Sequence, residues 1–241
     1  MKDSDVETMN GLLQTTTLKY LGVSENSRVR QILEFFSKFP KVIVIETSKM
    51  GNPYYVISKL AETYFQVMNA DISKKRNKTL IQDRFIAGIL FWCGLRCAEL
   101  TYVRKKNHID LISKTFNVPT LKQGKKETVM RPIPHDHIPV NELRFWNYYF
   151  EVIGLSGDDK VVDVCERTIE RATKRLLDLN PHALRHSLGL FLYELTKDIR
   201  LVAQILRHSN IANTLIYTRL SMESIREKLR YFNSEDERSD L

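Results

Sequence analysis

The sequence predicts a mixed α+β fold, mainly helical, with one small three-stranded antiparallel sheet. Two observations carry this. After residue 54 apolar residues recur at helical spacing, as in Val56, Leu60, Tyr64, Val67 and again in Ile81, Phe85, Ile89, Trp92. Between Asn107 and Pro134 the period becomes extended: HIDLIS, TFNVPTLKQ and ETVMRPIP read as short strands rich in β-branched residues, the second and third joined by a Gly-Lys-Lys turn. With 241 residues, 43% of them hydrophobic, the chain can bury a sizeable core without covalent staples.

The elements follow in order. Residues 1–53 hold two weakly amphipathic segments, about 4–14 and 25–38, and then the apolar run Val42 to Ile45, which is either a buried strand or a piece of helix. SKMGNP at 48–53 combines Gly and Pro in a loop and sets a domain boundary. Helices are expected from Tyr54 and over 79–99, the second broken at Gly94, with the basic linker DISKKRNK between them. Beyond the sheet, 140–153 is a helix whose Leu143, Trp146, Tyr149 and Phe150 belong to the core, GLSGDDK is a loop, and 164–177 is a basic helix. Pro181 opens a further helix, NIANTLIY forms a short helical segment, and Met222, Ile225, Leu229 and Phe232 stripe a last one, ahead of an acidic tail at 234–241.

Charge narrows the class of partner. Lys and Arg number 37 against 29 Asp and Glu, a net +8 that favours a polyanion such as nucleic acid. Arg167 and Arg171, then Lys174 and Arg175 three and four residues further on, make a basic face that is either solvated or docked on DNA phosphates. No window approaches the ~20 apolar residues of a membrane helix, and the N-terminus lacks a signal peptide's apolar core, so a cytoplasmic protein is expected. Cys93, Cys97 and Cys165 form no Cys-x-x-Cys pair, and His135 and His137 have no third ligand at metal spacing. No metal or cofactor is expected.

The chemistry gathers in residues 182–219. His182 and Arg185 lie one helical turn apart on one face, and His208 and Tyr217 follow at the two ends of NIANTLIY. A cation, two proton carriers and a hydroxyl nucleophile suit reaction at an anionic phosphate. Upstream, Arg96 follows the glycine break in CGLRCAEL, with Glu99 one turn on and close enough to orient it. The hairpin carries Lys122 at the end of its second strand and Lys125 and Lys126 at the turn.

This set, Arg96 in GLRCAEL, a hairpin lysine, HALRH, LRHSN and a Tyr nine residues after that His, resembles the tyrosine recombinase (phage integrase) family over roughly residues 54–233. The resemblance implies a catalytic domain at 54–233, with 1–53 a short segment and possible minimal DNA clamp. It implies a site-specific recombinase that cleaves and rejoins double-stranded DNA through a 3′-phosphotyrosyl intermediate, without metal or ATP, encoded by a prokaryote, virus or plasmid. Tyr217 would be the nucleophile; Arg96 and Arg185 would hold the non-bridging oxygens; His208 would add a hydrogen bond. Lys122 would be the general acid, with Lys125 or Lys126 as alternatives because the hairpin is longer than usual, and His182 would take the tyrosine proton. A homotetramer on two DNA sites is implied too, with the 222–233 helix as the subunit contact. Two features depart from the family's pattern: Leu206-Arg207-His208 stands where Leu-Gly-His is usual, and the N-terminal region is shorter. A type IB topoisomerase or an inactive DNA-binding accessory protein are the rival readings, with a metal-dependent nuclease third.

Overall fold

The computed structural model describes residues 15–24, 27–38, 43–46, 49–122 and 125–218, with the backbone alone for 43–46, 49–50 and 119–131. The expected segments at 4–14, 222–233 and 234–241 lie outside the described residues. The elements run α1 (15–21), α2 (Arg28–Ser37), β1 (Ile43–Glu46), β2 (Lys49–Gly51), α3 (Pro53–Met68), α4 (Lys75–Trp92), α5 (Cys97–Leu100) and α6 (Lys105–His108). They continue with β3 (Ile109–Asp110), β4 (Thr115–Lys122), β5 (Lys125–Pro134), α7 (Val140–Ile153), α8 (Glu166–Leu177), α9 (Pro181–Thr196), α10 (Ile199–Ile205) and two 3₁₀ turns, Ile211–Asn213 and Leu215–Thr218. The fold is mainly helical, and β3-β4-β5 form the expected three-stranded antiparallel sheet.

Local chemistry starts several helices where the sequence placed them. Asn52 and Asn180 each accept a hydrogen bond from the third residue on, Tyr55 N at 3.2 Å and Ala183 N at 2.8 Å, and each is followed by a proline at the first helical position. Asp198 caps α10 through the Arg200 and Leu201 amides.

Five readings are corrected. The stretch 48–53 is not all loop: Lys49–Gly51 is a strand that pairs antiparallel with β1, so a second, two-stranded sheet exists. Three residues are too few to show alternation. The linker DISKKRNK is already helical from Lys75, and within HIDLIS only Ile109–Asp110 is strand, His108 ending α6 and a turn following from Leu111. Lys125 and Lys126 belong to the backbone of β5 rather than to a Gly-Lys-Lys turn, with Lys125 opposite Lys122. NIANTLIY forms 3₁₀ turns, not α-helix.

Helix α4 is the axis of the molecule. It packs against α3, α7, α8 and α9, so from Ile81 onward nearly every residue is buried rather than a single stripe. Its interior polar residues must therefore find partners. Arg84 does so with Glu142, through Nη1 at 3.0 Å and Nη2 at 2.5 Å, and both side chains are fully buried. Tyr20 from α1 joins this pair, donating to Glu142 and accepting from Trp92 Nε1 at 3.1 Å. Tyr20, Ile32, Leu33 and Phe36 are thereby part of the same core as α3, α4 and α7. Among the described residues no helix is long and apolar enough to cross a membrane.

Candidate active site

The C-terminal end of α4 is where the sequence-expected residues converge. Gly94, at φ +56, turns the chain into Arg96, which precedes α5. A helix end leaves carbonyls without intrahelical donors, and here side chains supply them. His137 Nε2 lies 2.9 Å from Trp92 O, Arg207 Nη1 donates to Cys93 O at 3.1 Å, and Gly94 O accepts from Arg207 Nη2 at 2.9 Å and from Arg185 Nη1. Arg185 Nη2 also donates to Leu206 O. The two guanidiniums thus tie α9 and the end of α10 to the end of α4.

Glu99 stands between the cations. Its Oε1 accepts from Arg96 Nη1 at 2.8 Å, and its Oε2 accepts from the Arg96 amide at 2.8 Å and from Arg207 Nη2 at 3.0 Å. The Arg96–Glu99 contact is the one the local spacing anticipated. Burial alone would raise the Glu99 carboxyl; Arg207, the Arg96 amide, Arg185 and the Arg96 guanidinium outweigh it and hold it below the usual carboxylate range. Arg185 is 2% exposed. Burial, then the charges of Arg207 and Arg96, push its guanidinium down to about 9, still protonated at neutral pH. The Arg96 side chain, by contrast, is 41% exposed and lines an open groove of about 500 Å³ with His182, Asn180, Glu166 and Glu170. His208 sits beside these groups, Nδ1 2.7 Å from Thr214 Oγ1; burial, then Arg185, Arg96 and Arg207, lower it to about 3, so it is neutral.

Tyr217 is 1% exposed. Its ring lies on Gly189, where a Cβ would come within 2.3 Å of the ring, and its hydroxyl is 2.9 Å from His186 Nδ1. Burial raises the phenol well above its ordinary value, with Arg185 offsetting part. The residue against the hydroxyl is therefore His186 rather than His182, which is exposed, with its ring centroid 4.4 Å from that of His186. His186 was missed in the sequence although it adjoins Arg185 in HALRH; only the packing of Tyr217 distinguishes the two imidazoles.

The remaining candidates divide. The structure brings Lys122, Lys125 and Lys126 to one end of the β4–β5 hairpin by backbone register. On α8, Arg167 and Arg171 are exposed without an acidic partner among the described residues, while Lys174 pairs with Asp178 at 2.5 Å. Arg175 is held by Asp83 of α4 at 2.9 and 2.7 Å, so its acidic partner comes from a neighbouring helix rather than from Glu166 or Glu170 of its own. His135 and His137 are engaged by backbone carbonyls of Ile133 and Trp92, and among the described residues no group of His, Cys, Asp and Glu is arranged to hold a metal ion.

Comparison with known proteins adds three kinds of likeness. The model of the phage integrase family matches residues 157–224. Tyrosine recombinase XerC of Proteus mirabilis is 29% identical over 175 residues, covering 66% of this chain and 53% of the relative. XerC of Actinobacillus succinogenes is 27% identical, covering 80% and 70%, and XerC of Staphylococcus aureus 25%, covering 73% and 59%. The chain thus spans between about half and 70% of the length of these relatives. Among solved structures, XerA recombinase superposes with a TM-score of 0.50 at 19% identity over 96% of this chain and 93% of its own. XerH site-specific recombinase, bound to palindromic difH substrate in a post-cleavage complex, gives 0.53 at 17% identity over 73% and 52%. At these identities the two structures show likeness of fold.

Proposed function

We propose that the chain is a member of the tyrosine recombinase family, a site-specific DNA recombinase that cleaves and rejoins DNA through Tyr217. The observation that carries the proposal is the cluster at the end of α4: three guanidiniums, Arg96, Arg185 and Arg207, against the single carboxylate of Glu99. Such an excess of fixed positive charge awaits an anion, and preorganised donors are worth most where charge develops in a transition state. A DNA phosphodiester in the open groove beside Arg96 supplies it.

In the proposed reaction the Tyr217 oxygen attacks phosphorus and the 5′-oxygen leaves, forming a 3′-phosphotyrosyl bond. The phenol needs an acceptor for its proton because its unperturbed pKa is about 10; His186 is already within reach, and His182 lines the groove. Arg96 and Arg185 hold the non-bridging oxygens, and neutral His208 donates a further hydrogen bond. The leaving alkoxide takes its proton from a hairpin lysine: Lys122, which closes β4, Lys125, which is paired with it, or Lys126, the next residue of β5. Arg167 and Arg171 support docking of α8 on the phosphate backbone, with a tetramer on two DNA sites as the recombining assembly. Because Tyr217 is buried on Gly189, it must leave that seat before it attacks.

The test is a pool of nicked duplexes of random sequence incubated with the protein, followed by recovery of denaturation-resistant adducts and sequencing of the trapped DNA. Wild type should yield adducts enriched in one sequence and Tyr217→Phe none. An equal yield from Tyr217→Phe sinks the assignment, and adducts without sequence enrichment favour a topoisomerase.

A further inference from the structure

We infer that Arg207 is a positioning residue of the phosphate site, one that grips Glu99 and the end of α4 so that Arg96 and Arg185 stay aimed at the bound phosphate. The inference rests on the proposed function and deepens it. Arg207 stands where the family usually has glycine, and its backbone is left-handed, φ +54, a conformation that a residue with a Cβ adopts at a cost. A merely tolerated arginine there would extend into solvent. Instead its side chain is 4% exposed and donates to Cys93 O, Ile205 O, Gly94 O and Glu99 Oε2 at 2.9 to 3.1 Å.

Those partners tell what the residue acts on. Gly94 O is shared with Arg185, so the two guanidiniums are placed relative to each other by one acceptor. Glu99 holds Arg96 through Oε1 while Arg207 occupies Oε2, so when Arg96 swings toward a phosphate the buried carboxylate keeps a cationic partner. The guanidinium is enclosed, its two Nη groups are engaged by protein and its Nε is buried without a partner among the described residues, which leaves it acting through Arg96 and Arg185 rather than on DNA.

The charged groups facing Glu99 are Arg96 beside it, Arg185 from α9 and Arg207 after α10. Replacing Arg207 by Met keeps length and removes the charge, so the buried Glu99 carboxyl should take up a proton at higher pH and stop accepting from Arg96. Arg207→Lys keeps the charge without the fork.

Two measurements test this. With a nicked duplex recovered from the adduct pool, Arg207→Met should cleave about tenfold more slowly in single turnover, as expected for loss of one charge-assisted contact. Its acid limb should move to higher pH, and its affinity for the duplex should stay within about threefold of wild type. Arg207→Lys should restore the acid limb toward wild type. Separately, without DNA, the ¹³C carboxyl resonance of Glu99, assigned by Glu99→Gln, should titrate at higher pH in Arg207→Met than in wild type. Unchanged titration overturns the inference, as does equal loss in both variants with an unmoved acid limb, or a loss confined to duplex affinity. Failure of wild type to form any adduct counts against the proposed function, while the carboxyl titration still decides whether Arg207 governs Glu99.

Discussion

Gly189→Ala should unseat Tyr217, the proposed nucleophile. The added methyl would lie 2.3 Å from Tyr217 Cζ and 2.5 and 2.8 Å from the two Cε atoms, so the ring cannot remain where it is. Two terms oppose each other. Alanine in a helix interior is favoured over glycine by about 0.5–1 kcal/mol. Against this, a ring that is 1% exposed loses about 2 kcal/mol of burial and its hydroxyl loses a hydrogen bond worth about 1 kcal/mol. The net expectation is a loss of about 2 kcal/mol, or a Tm lowered by about 4–8 °C for a chain of this size. Urea and thermal unfolding read the first figure. Nitration of Tyr217 by tetranitromethane, located by mass spectrometry, reads the displacement, since a ring lifted off Gly189 becomes reactive. Combining Gly189→Ala with Tyr217→Ala isolates the clash, because without the ring the methyl should be neutral or mildly stabilising. If Gly189→Ala alone is as stable as wild type and Tyr217 remains protected, the ring is not seated on α9 and the reasoning fails.

Three further outcomes follow from the geometry. Arg84→Met strands the buried Glu142 and should cost about 3–5 kcal/mol by urea unfolding, whereas Arg84→Met with Glu142→Leu should recover most of it. Tyr217→Phe, which on the proposed function removes adduct formation, should cost only about 1 kcal/mol of stability, for the lost contact with His186. Burial first, then the neighbouring charge, lowers His135 to about 3, and burial lowers His137 to about 4, against about 6.5 in the unfolded chain. Below pH 6.5 the unfolded state therefore binds protons that the folded state refuses. Stability is full above that pH and falls as pH drops toward the folded values, by up to about 1.4 kcal/mol per pH unit for each ring. Urea midpoints from pH 7.5 to 5.5 should show this slope, and His135→Gln should reduce it; an unaltered slope in that variant would show that the ring is not held neutral.

What could be read from the sequence was whatever one helical turn encloses. Arg96 and Glu99 are three residues apart, and their contact is as the spacing implied. Asn180-Pro181 announced α9, and the fixed interval from His208 to Tyr217 placed both at the edge of the same cluster. The pairings that cross elements were not legible. Asp83 and Arg175 are 92 residues apart, and Glu99 and Arg207 are 108 apart, so neither partner marks the other locally. A stripe reading of α4 kept Ile81, Phe85, Ile89 and Trp92 but could not foresee that Arg84 is buried as well, because that depends on Tyr20 of α1 and Glu142 of α7, each more than fifty residues away, meeting it. The same limit separates His182 from His186. Both lie on α9 about one turn apart, and which imidazole meets the Tyr217 hydroxyl is decided by where the Leu215–Thr218 turn sets the ring down, on Gly189, whose lack of a Cβ leaves room for it. The residue types of a phosphate-transfer site are thus local information. The withdrawn state of the proposed nucleophile, Tyr217, is tertiary, because a hydroxyl bonded to His186 beneath the surface must leave its seat on Gly189 to reach a phosphate.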